Sequence, residues 1–504
     1  MTSRTKKAFN GILASLLQYV VFIVLQVILT PLILKFAGQE VLGTYSIIMQ
    51  IIGYGILLDL GFSVALSRFL SQAHGLNEEG NRFSEVFTIG GVFLFVTNLI
   101  FAGIIFLLAL NIGKLIVASE PVLSQARIAL CFLASWIIVR TPLALYNHGL
   151  IATQNLAAAN LMAIAGNMTR LGMSLLLVYE GFGLLGLIAA NILSEAIAFT
   201  MQMAYFKKKY PHHVFGWKIS NNQLFKEILT FGVKYWGVNL AGVLFLGSDT
   251  IIVGNLFGAS EASVFYTTKI PSFLLFQFVF RLSDNVAPAT NELFAQRNFD
   301  AVRAAYIKIV RYSMLLALPL AIGIVGFNRS VITAWVGSAQ YAGEIMTLAI
   351  AVFVLTQVLN HINAMITLAA GDLRQWSAVA ILIGLITLAL SYWLGKIFGM
   401  QWVMVAIAIM DIPNAIFLLK RSVVGLKLSV LQLWREAFIP VIWVSLPLVG
   451  LVIYIKSMNA MQSLLSLIFY ITLFSMLWLA CLLVMGLNKS EKQFLRKKCQ
   501  AYQL

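Results

Sequence analysis

Long apolar runs separated by short polar segments make up almost the whole chain. A transmembrane helix needs about 20 mostly apolar residues, and fourteen runs reach that length. They lie at 12–34, 44–70, 86–110, 123–149, 155–178, 183–206, 228–254, 262–286, 306–327, 342–369, 376–395, 401–419, 437–456 and 462–486. The pattern therefore predicts an all-α polytopic membrane protein with fourteen transmembrane helices.

The distribution of Lys and Arg gives an orientation to these helices, because cytoplasmic loops keep an excess of both. With the N-terminus inside, the inner segments hold 24 Lys and Arg residues and the outer loops hold five. A miscounted span would invert every later loop and remove this bias. We therefore predict that both termini are cytoplasmic.

The composition is typical of a protein embedded in a lipid bilayer, and it excludes several classes of protein. The hydrophobic fraction is 60%, charged residues make up 11%, and mean hydropathy is +0.90, whereas soluble domains are about 45–50% apolar. The net charge of +16 is scattered between apolar runs, so we predict no nucleic-acid binding. Three separate cysteines, with no Walker A, GxSxG or HExxH motif, indicate no catalytic residues, no metal site and no cofactor. We therefore predict that the protein is not an enzyme.

A weak internal repeat predicts the domain organisation. The stretch "YEGFGLLGLIAANILSE" (179–195) aligns with "GKIFGMQWVMVAIAIMD" (395–411), matching Gly183 with Gly399 and Glu195 with Asp411. Transporters are often built from duplicated bundles. The predicted parts are a six-helix bundle at 1–206, a cytoplasmic linker at 207–226, a second six-helix bundle at 227–420, two additional helices at 421–486 and a basic cytoplasmic tail at 487–504. The two bundles are predicted to be pseudo-symmetric around a central cavity.

Several motifs resemble those of the polysaccharide transporter family, part of the exporter superfamily that includes multidrug extruders and lipid II flippases. They are "LLDLGFSVALSRFLS" (57–71), "GSDTIIVGNLFGASEASVFYTTKIP" (247–271), "APATNELFAQRNFDAVRAAY" (287–306) and "AAGDLRQWSAVAILIGLITLALSYWLGKIFGMQWVMVA" (369–406). The resemblance implies a flippase for undecaprenyl-pyrophosphate-linked oligosaccharide units, such as O-antigen or capsule repeats. It also implies a location in the bacterial inner membrane, alternating access, coupling to H⁺ or Na⁺, and polysaccharide polymerase machinery as a partner.

An anionic diphosphate needs a cationic, hydrated path through the bilayer. The cationic residues predicted within spans, and so predicted to bind substrate in the cavity, are Arg140, Arg170, Lys234, Lys269 and Arg281. Each also has a structural interpretation. Arg170 could form an ion pair with Glu195, Arg281 could pair with Asp284 three residues on, and the two lysines could extend to the headgroups.

Acidic residues within spans are the candidates for ion coupling or gating: Asp59, Glu195, Asp249 and Asp411. A carboxylate in hydrocarbon is costly and usually functional. We expect Asp59 to face the bundle, either paired with a cation of another helix or bound to backbone donors. Glu195 and Asp411 occupy matching places in the repeat, which fits an architectural role as well as a chemical one.

Three alternatives to the repeat-unit flippase remain open at this point. A cation-coupled multidrug antiporter of the same superfamily would be expected to have twelve spans and an acidic site in its first half. A lipid II flippase would share the cationic groove. A purely structural assembly scaffold would have its intramembrane charges paired and no cavity.

Overall fold

The computed structural model describes residues 3–75, 81–213, 215–217, 219, 221–369, 374–458, 461, 463–488 and 491–493; some side chains within helices, among them those of Lys234 and Arg281, lie outside this description. The chain divides into two compact units, Met1–Ser263 and Val264–Leu504. The predicted domain boundaries at 206, 227 and 420 remain predictions.

The first unit consists of helices and the turns between them. Its helices are α1 (Ser3–Phe36), α2 (Gln39–Gly53), α3 (Gly55–Leu58), α4 (Phe62–Gly75), α5 (Asn81–Leu110), α6 (Ile112–Leu115), α7 (Glu120–Ala152), α8 (Leu156–Tyr179), α9 (Gly183–Lys209), α10 (Asn222–Leu246) and α11 (Asp249–Leu256).

Helix α12 (Ala259–Ala295) begins in the first unit and continues into the second. The later helices are α13 (Phe299–Val336), α14 (Glu344–Ala369), α15 (Arg374–Phe398), α16 (Gln401–Gly425), α17 (Val430–Leu433), α18 (Ile439–Ser457) and α19 (Leu464–Cys481). A 3₁₀ turn covers Ser338–Gln340, and π-helical turns cover Trp434–Phe438 and Leu482–Gly486.

Twelve helices of the described chain are long and apolar enough to cross a membrane. Two further predicted spans, 228–254 and 262–286, fall on α10 with α11 and on α12. Several side chains of α10 and α12 lie outside the description, so the count of fourteen and the two-bundle arrangement remain predictions. The chain is a multi-pass, all-α membrane protein.

The second predicted span, 44–70, is not one continuous helix. Helix α2 ends at Gly53, the one-turn helix α3 ends at Leu58, and α4 begins at Phe62. Leu60 and Gly61 lie between them with φ angles of 50° and 72°, a left-handed conformation that no α-helix includes. The prediction of a regular helix through Asp59 was therefore wrong.

Each unit has its own apolar core. In the first unit, rings from α4, α5 and α9 pack together: Phe62, Phe83, Phe87 and Phe206 are completely buried. In the second, Tyr306, Val310 and Ile362 lie at the centre of a cluster formed by α13, α14, α16 and α18. Helices α18 and α19 pack on α13.

Gly183 and Gly399, which the predicted repeat matches, both have positive φ angles, 51° and 101°. The internal repeat remains a prediction.

Candidate functional site

The first group of candidate residues is an ion pair between α7 and α9. Arg140 Nη1 lies 3.2 Å from Glu195 Oε2, and Trp136 Nε1 donates to the same oxygen at 2.7 Å. Trp136 and Arg140 are four residues apart and so share one face of α7. Both charged side chains are about a quarter exposed. The carboxylate of Glu195 is thus compensated by a guanidinium and an indole N–H.

Helix α7 remains regular around this pair. Pro142 removes one backbone N–H, yet α7 runs without interruption from Glu120 to Ala152. Pro142 therefore does not interrupt the helix beside Arg140. The polar side chains beside Arg140 are thus carried by a regular α-helix.

Arg170 on α8 has a different partner from the one considered in the sequence. Its Nη2 donates to the Tyr45 hydroxyl on α2 at 2.7 Å, whereas Glu195 contacts Arg140. Tyr45 is buried and Arg170 is half-buried. The hydrogen bond joins a charged donor to a neutral acceptor, so it leaves the positive charge of Arg170 uncompensated by that contact.

Asp59 lies at the interruption between α3 and α4. Its Oδ1 accepts a hydrogen bond from the Ser63 backbone N–H at 2.9 Å, one of the N–H groups that a helix start leaves without a partner in the helix. The negative charge also faces the positive end of the α4 dipole. Of the two arrangements expected for Asp59, binding to a backbone donor is the one found.

Helix α10 packs closely against the same interruption. Trp236 Nε1 donates a hydrogen bond to the Leu57 carbonyl oxygen at 2.6 Å. This bond satisfies a backbone acceptor near the end of α3. A Cβ on Gly61 would lie 2.3 Å from the Gly232 carbonyl oxygen. The two backbones therefore approach closely here because neither glycine has a side chain.

Asp249 lies at a second interruption, where α10 ends and α11 begins. Asp249 is 3% exposed and its Oδ1 accepts from Gln50 Nε2 at 2.6 Å and from the Thr250 N–H at 2.7 Å. Gln50 Oε1 in turn accepts from the Ile251 N–H at 3.1 Å. The Gln50 side chain thus fastens the start of α11 to α2, which is an architectural arrangement.

In the second unit, Lys269 and Asp284 lie in separate environments on α12. Lys269 is 6% exposed, and its ammonium lies 5.3 Å from the ring centres of both Phe265 and Phe273. The rings attract the cation through their negative faces. Asp284 Oδ1 lies 2.7 Å from His361 Nε2.

Asp411 is the most completely buried of the candidate acids, with 0% exposure. Its Oδ1 accepts from Asn360 Nδ2 at 2.6 Å and from Gln357 Nε2 at 3.0 Å, and its Oδ2 accepts from the Thr356 hydroxyl. These three donors lie on adjacent turns of α14. All three donors are neutral, so these contacts stabilise the carboxylate through dipoles and supply no counter-charge.

Two predicted residues cannot be placed in the site, and six residues of the site were not predicted. Lys234 and Arg281 lie in α10 and α12, but their side chains are outside the described residues. The neutral partners of the charges were not among the predicted residues: Tyr45, Gln50, Trp136, Thr356, Gln357 and Asn360. The signal for the last three was their clustering with His361 inside one apolar run. In the described chain, His, Cys, Asp and Glu form no group of three that could hold a metal ion.

A further ion pair joins α13 to the C-terminal segment. Arg311, 4% exposed, donates through Nη2 to Glu491 Oε1, which the Tyr312 hydroxyl also contacts. Burial raises the pKa of the Glu491 carboxyl, but the hydrogen bonds from Tyr312, the Asn488 N–H and Arg311 outweigh burial and hold that pKa below its usual value. The tail is thereby fastened to a buried guanidinium.

The fold is that of solved membrane transporters. A lipid II flippase, MurJ, in an inward closed conformation superposes with a TM-score of 0.70 at 13% identity, over 93% of this chain and 97% of that one. A multidrug-resistance transporter of the MATE family, in its inward-facing conformation, gives a TM-score of 0.64 at 15% identity, over 79% and 93%. At these identities the similarity concerns the fold.

Residues 35–342 match the family described as "Polysaccharide biosynthesis protein", and the chain belongs to that family. A membrane protein of Bacillus subtilis (strain 168), EpsK, is 23% identical over 337 residues. The match covers 64% of this chain and 64% of the length of that relative. The resemblance noted in the sequence is thus confirmed at the level of the family: the chain is a multi-pass membrane protein of a polysaccharide biosynthesis family.

Proposed function

We propose that the protein is a flippase that moves undecaprenyl-pyrophosphate-linked oligosaccharide repeat units across the bacterial inner membrane by alternating access. The family supports a role in polysaccharide biosynthesis. The observation that carries the substrate class is the Arg170 guanidinium, far inside a membrane-spanning helix and hydrogen-bonded to a neutral phenol. Such a cation gains strong hydrogen bonds when a phosphate oxygen approaches it.

The orientation follows the predicted topology, with both termini in the cytoplasm and two six-helix bundles around the cavity. In that arrangement Arg170 and Arg140 lie in the first bundle and Lys269 in the second. The diphosphate and sugars pass along these cations while the polyprenyl chain stays in lipid, so that only the polar part must lose its water. Polysaccharide polymerase machinery is the predicted downstream partner.

Cation coupling is the second part of the proposal. A transporter driven by H⁺ or Na⁺ needs a buried group whose charge changes on binding. Asp411 meets that requirement, because its hydrogen-bond donors Thr356, Gln357 and Asn360 are neutral. Glu195 meets it less well, because Arg140 already compensates its charge.

Complementation of flippase-deficient bacteria with different repeat units tests the substrate. We expect the wild-type protein to restore surface glycan in at least one strain. Arg170→Ala should abolish that rescue at unchanged protein level, and Arg170→Lys should retain part of it. Arg127→Ala is the control, because Arg127 forms an exposed pair with Glu120 at 2.7 Å. Full rescue by Arg170→Ala would remove Arg170 from the substrate path.

Lipid II is the second candidate substrate, favoured by the superposition on MurJ over 93% of the chain. Rescue of a lipid II flippase mutant without rescue of any repeat-unit strain would establish that alternative. Drug resistance without glycan rescue would indicate a multidrug antiporter instead.

A further inference from the structure

The buried guanidinium of Arg311 lies in a part of the second unit that the proposed transport path does not use. Arg311 is 4% exposed and lies five residues inside the predicted span 306–327, which begins on the cytoplasmic side in the predicted orientation. Its Nη2 donates to the Tyr312 hydroxyl at 3.2 Å and to Glu491 Oε1. A buried charge without a counter-charge is costly, so the stability of this region depends on which anion contacts Arg311.

One donor of the Arg311 guanidinium is unused within the described chain. The Nε–H and one Nη2–H of an arginine lie side by side on the same edge of its plane, and together they hold two oxygens of one anion. Glu491 is hydrogen-bonded to Nη2, whereas the buried Nε has no hydrogen-bond partner among the described residues. Buried polar groups are nearly always paired. The edge of Arg311 therefore fits an anion that presents two oxygens to it.

The position of the Glu491 carboxylate explains why Nε is not paired. Its second oxygen, Oε2, accepts from the Asn488 N–H at 2.8 Å, and the Lys492 N–H donates to the Asn488 carbonyl at 3.0 Å. Oε2 thus binds the backbone of its own segment instead of the guanidinium. Glu491 balances the charge of Arg311 but matches its donors incompletely.

A phosphate group matches these donors better than the carboxylate does. Two of its oxygens can bind Nε and Nη2 of Arg311, and another can accept from the Tyr312 hydroxyl; such bidentate pairs are among the strong hydrogen bonds of proteins. Tyr312 is 38% exposed, so the site is open on the side of this residue. In the predicted orientation, that side is at the level of the phosphates of the cytoplasmic leaflet.

The sequence of the C-terminal segment brings phosphate groups to the same place. Residues 489–498 contain five basic residues: Lys489, Lys492, Arg496, Lys497 and Lys498. A polybasic segment next to a membrane span attracts anionic headgroups. Because two anions beside one buried guanidinium repel each other, phosphate and the Glu491 carboxylate exclude each other at Arg311.

We propose that Arg311 and Tyr312 form a phosphate-binding site at the cytoplasmic end of α13, and that Glu491 occupies this site while the C-terminal segment is docked. An anionic phospholipid headgroup and free inorganic phosphate share the chemistry that the site recognises. Binding of phosphate displaces Glu491 and so releases the segment from α13. The inference goes beyond the proposed transport of repeat units and does not depend on it.

Thermal unfolding of the purified full-length protein in a neutral detergent tests the site. Inorganic phosphate is titrated against chloride at constant ionic strength and pH, and phosphatidylglycerol is titrated against phosphatidylcholine, because a ligand that binds the folded state raises Tm. We expect a saturable rise in Tm for the wild type. In Glu491→Gln the half-maximal concentration should be lower by about tenfold or more, because the competing carboxylate no longer occupies most of the sites.

Two further variants test the geometry and the specificity of the response. Adding Arg311→Lys to Glu491→Gln keeps the positive charge but removes the paired donors, so the half-maximal concentration should return to the wild-type value or exceed it. Glu344→Gln is the matched control, because Glu344 also pairs with a basic residue, Lys456, at 3.1 Å; it should respond as the wild type does. If Glu491→Gln does not fold, wild type and Arg311→Lys still provide the comparison.

Each outcome of the titrations has a defined meaning. A rise with phosphatidylglycerol alone identifies a lipid headgroup as the ligand, and a rise with inorganic phosphate shows that free phosphate is sufficient. No rise in Glu491→Gln, equal half-maximal concentrations in Glu491→Gln and wild type, or a response unchanged by Arg311→Lys would overturn the proposal. Glycan rescue by a protein that does not respond to phosphate would refute this inference alone, and a phosphate response without any glycan rescue would refute the proposed flippase function alone.

Discussion

Gly43 on α2 lies against the start of α12, where the two backbones are in direct contact. A Cβ at this position would be 1.7 Å from the Ala259 carbonyl oxygen and 3.0 Å from the Ser263 nitrogen. Both neighbours are backbone atoms, which cannot turn aside as a flexible side chain can. We therefore predict that Gly43→Ala forces α2 and the start of α12 apart.

The size of the displacement follows from the contact distance. Carbon and carbonyl oxygen approach to about 3.3 Å at closest, so the added methyl requires a shift of about 1.6 Å. The bond from Gln39 Nε2 to Ser260 O, 2.9 Å long, joins α2 to α12 and would exceed hydrogen-bonding range. One lost bond at about 1 kcal/mol and overpacking of about 1–3 kcal/mol sum to about 2–4 kcal/mol.

The assay is thermal unfolding of the purified protein in detergent, with Gly53→Ala as the matched control. Gly53 lies on the same helix, and a Cβ there meets nothing within 4 Å, so Ala should keep or raise the stability. We expect a clearly lower Tm for Gly43→Ala than for Gly53→Ala. Equal Tm values for the two variants would refute the close backbone contact.

Three further changes probe the ion pairs and the interrupted helix. A double-mutant cycle with Arg140→Ala and Glu195→Gln should give a coupling energy of about 1 kcal/mol in thermal unfolding; additive effects would contradict a direct pair. Gly61→Ala, at φ 72°, should lower the yield of folded protein in size-exclusion chromatography, and a normal yield would argue against the left-handed turn. Glu491→Gln should destabilise the protein by about 3 kcal/mol at neutral pH, because it leaves Arg311 buried without its charge partner. The pKa of the Glu491 carboxyl is lowered in the folded state. Its stabilising effect is therefore present above the unfolded pKa and is lost as pH falls through the folded pKa. Tm curves of wild type and variant that stayed parallel on acidification would contradict this.

The apolar runs predicted the membrane-spanning helices because their length and composition reflect the bilayer directly. The same property concealed the interruptions at 59–61 and at 247–248, since apolar residues continue on both sides of each. The glycines Gly53, Gly55 and Gly61 were the signal for the first interruption. Their effect depended on a partner, because the left-handed turn brings Gly61 against Gly232 of a distant helix.

For the site, the sequence identified the charges but not their partners. Glu195 pairs with Arg140 and not with Arg170, because α7 and α9 face each other at that level while Arg170 reaches α2. A search for charged residues does not find neutral partners such as Tyr45. Which side chains meet is decided by helix packing, and a hydrophobic pattern does not specify that.

The internal repeat makes Glu195 and Asp411 equivalent in sequence, yet their surroundings make them opposite in electrostatic terms. Arg140 balances Glu195, so a cation arriving there would add a net positive charge between α7 and α9. Thr356, Gln357 and Asn360 stabilise Asp411 without balancing it, so a cation arriving there cancels a buried charge. The predicted repeat places the two acids at one register, but the residues that face them differ: a guanidinium faces Glu195 and neutral donors face Asp411.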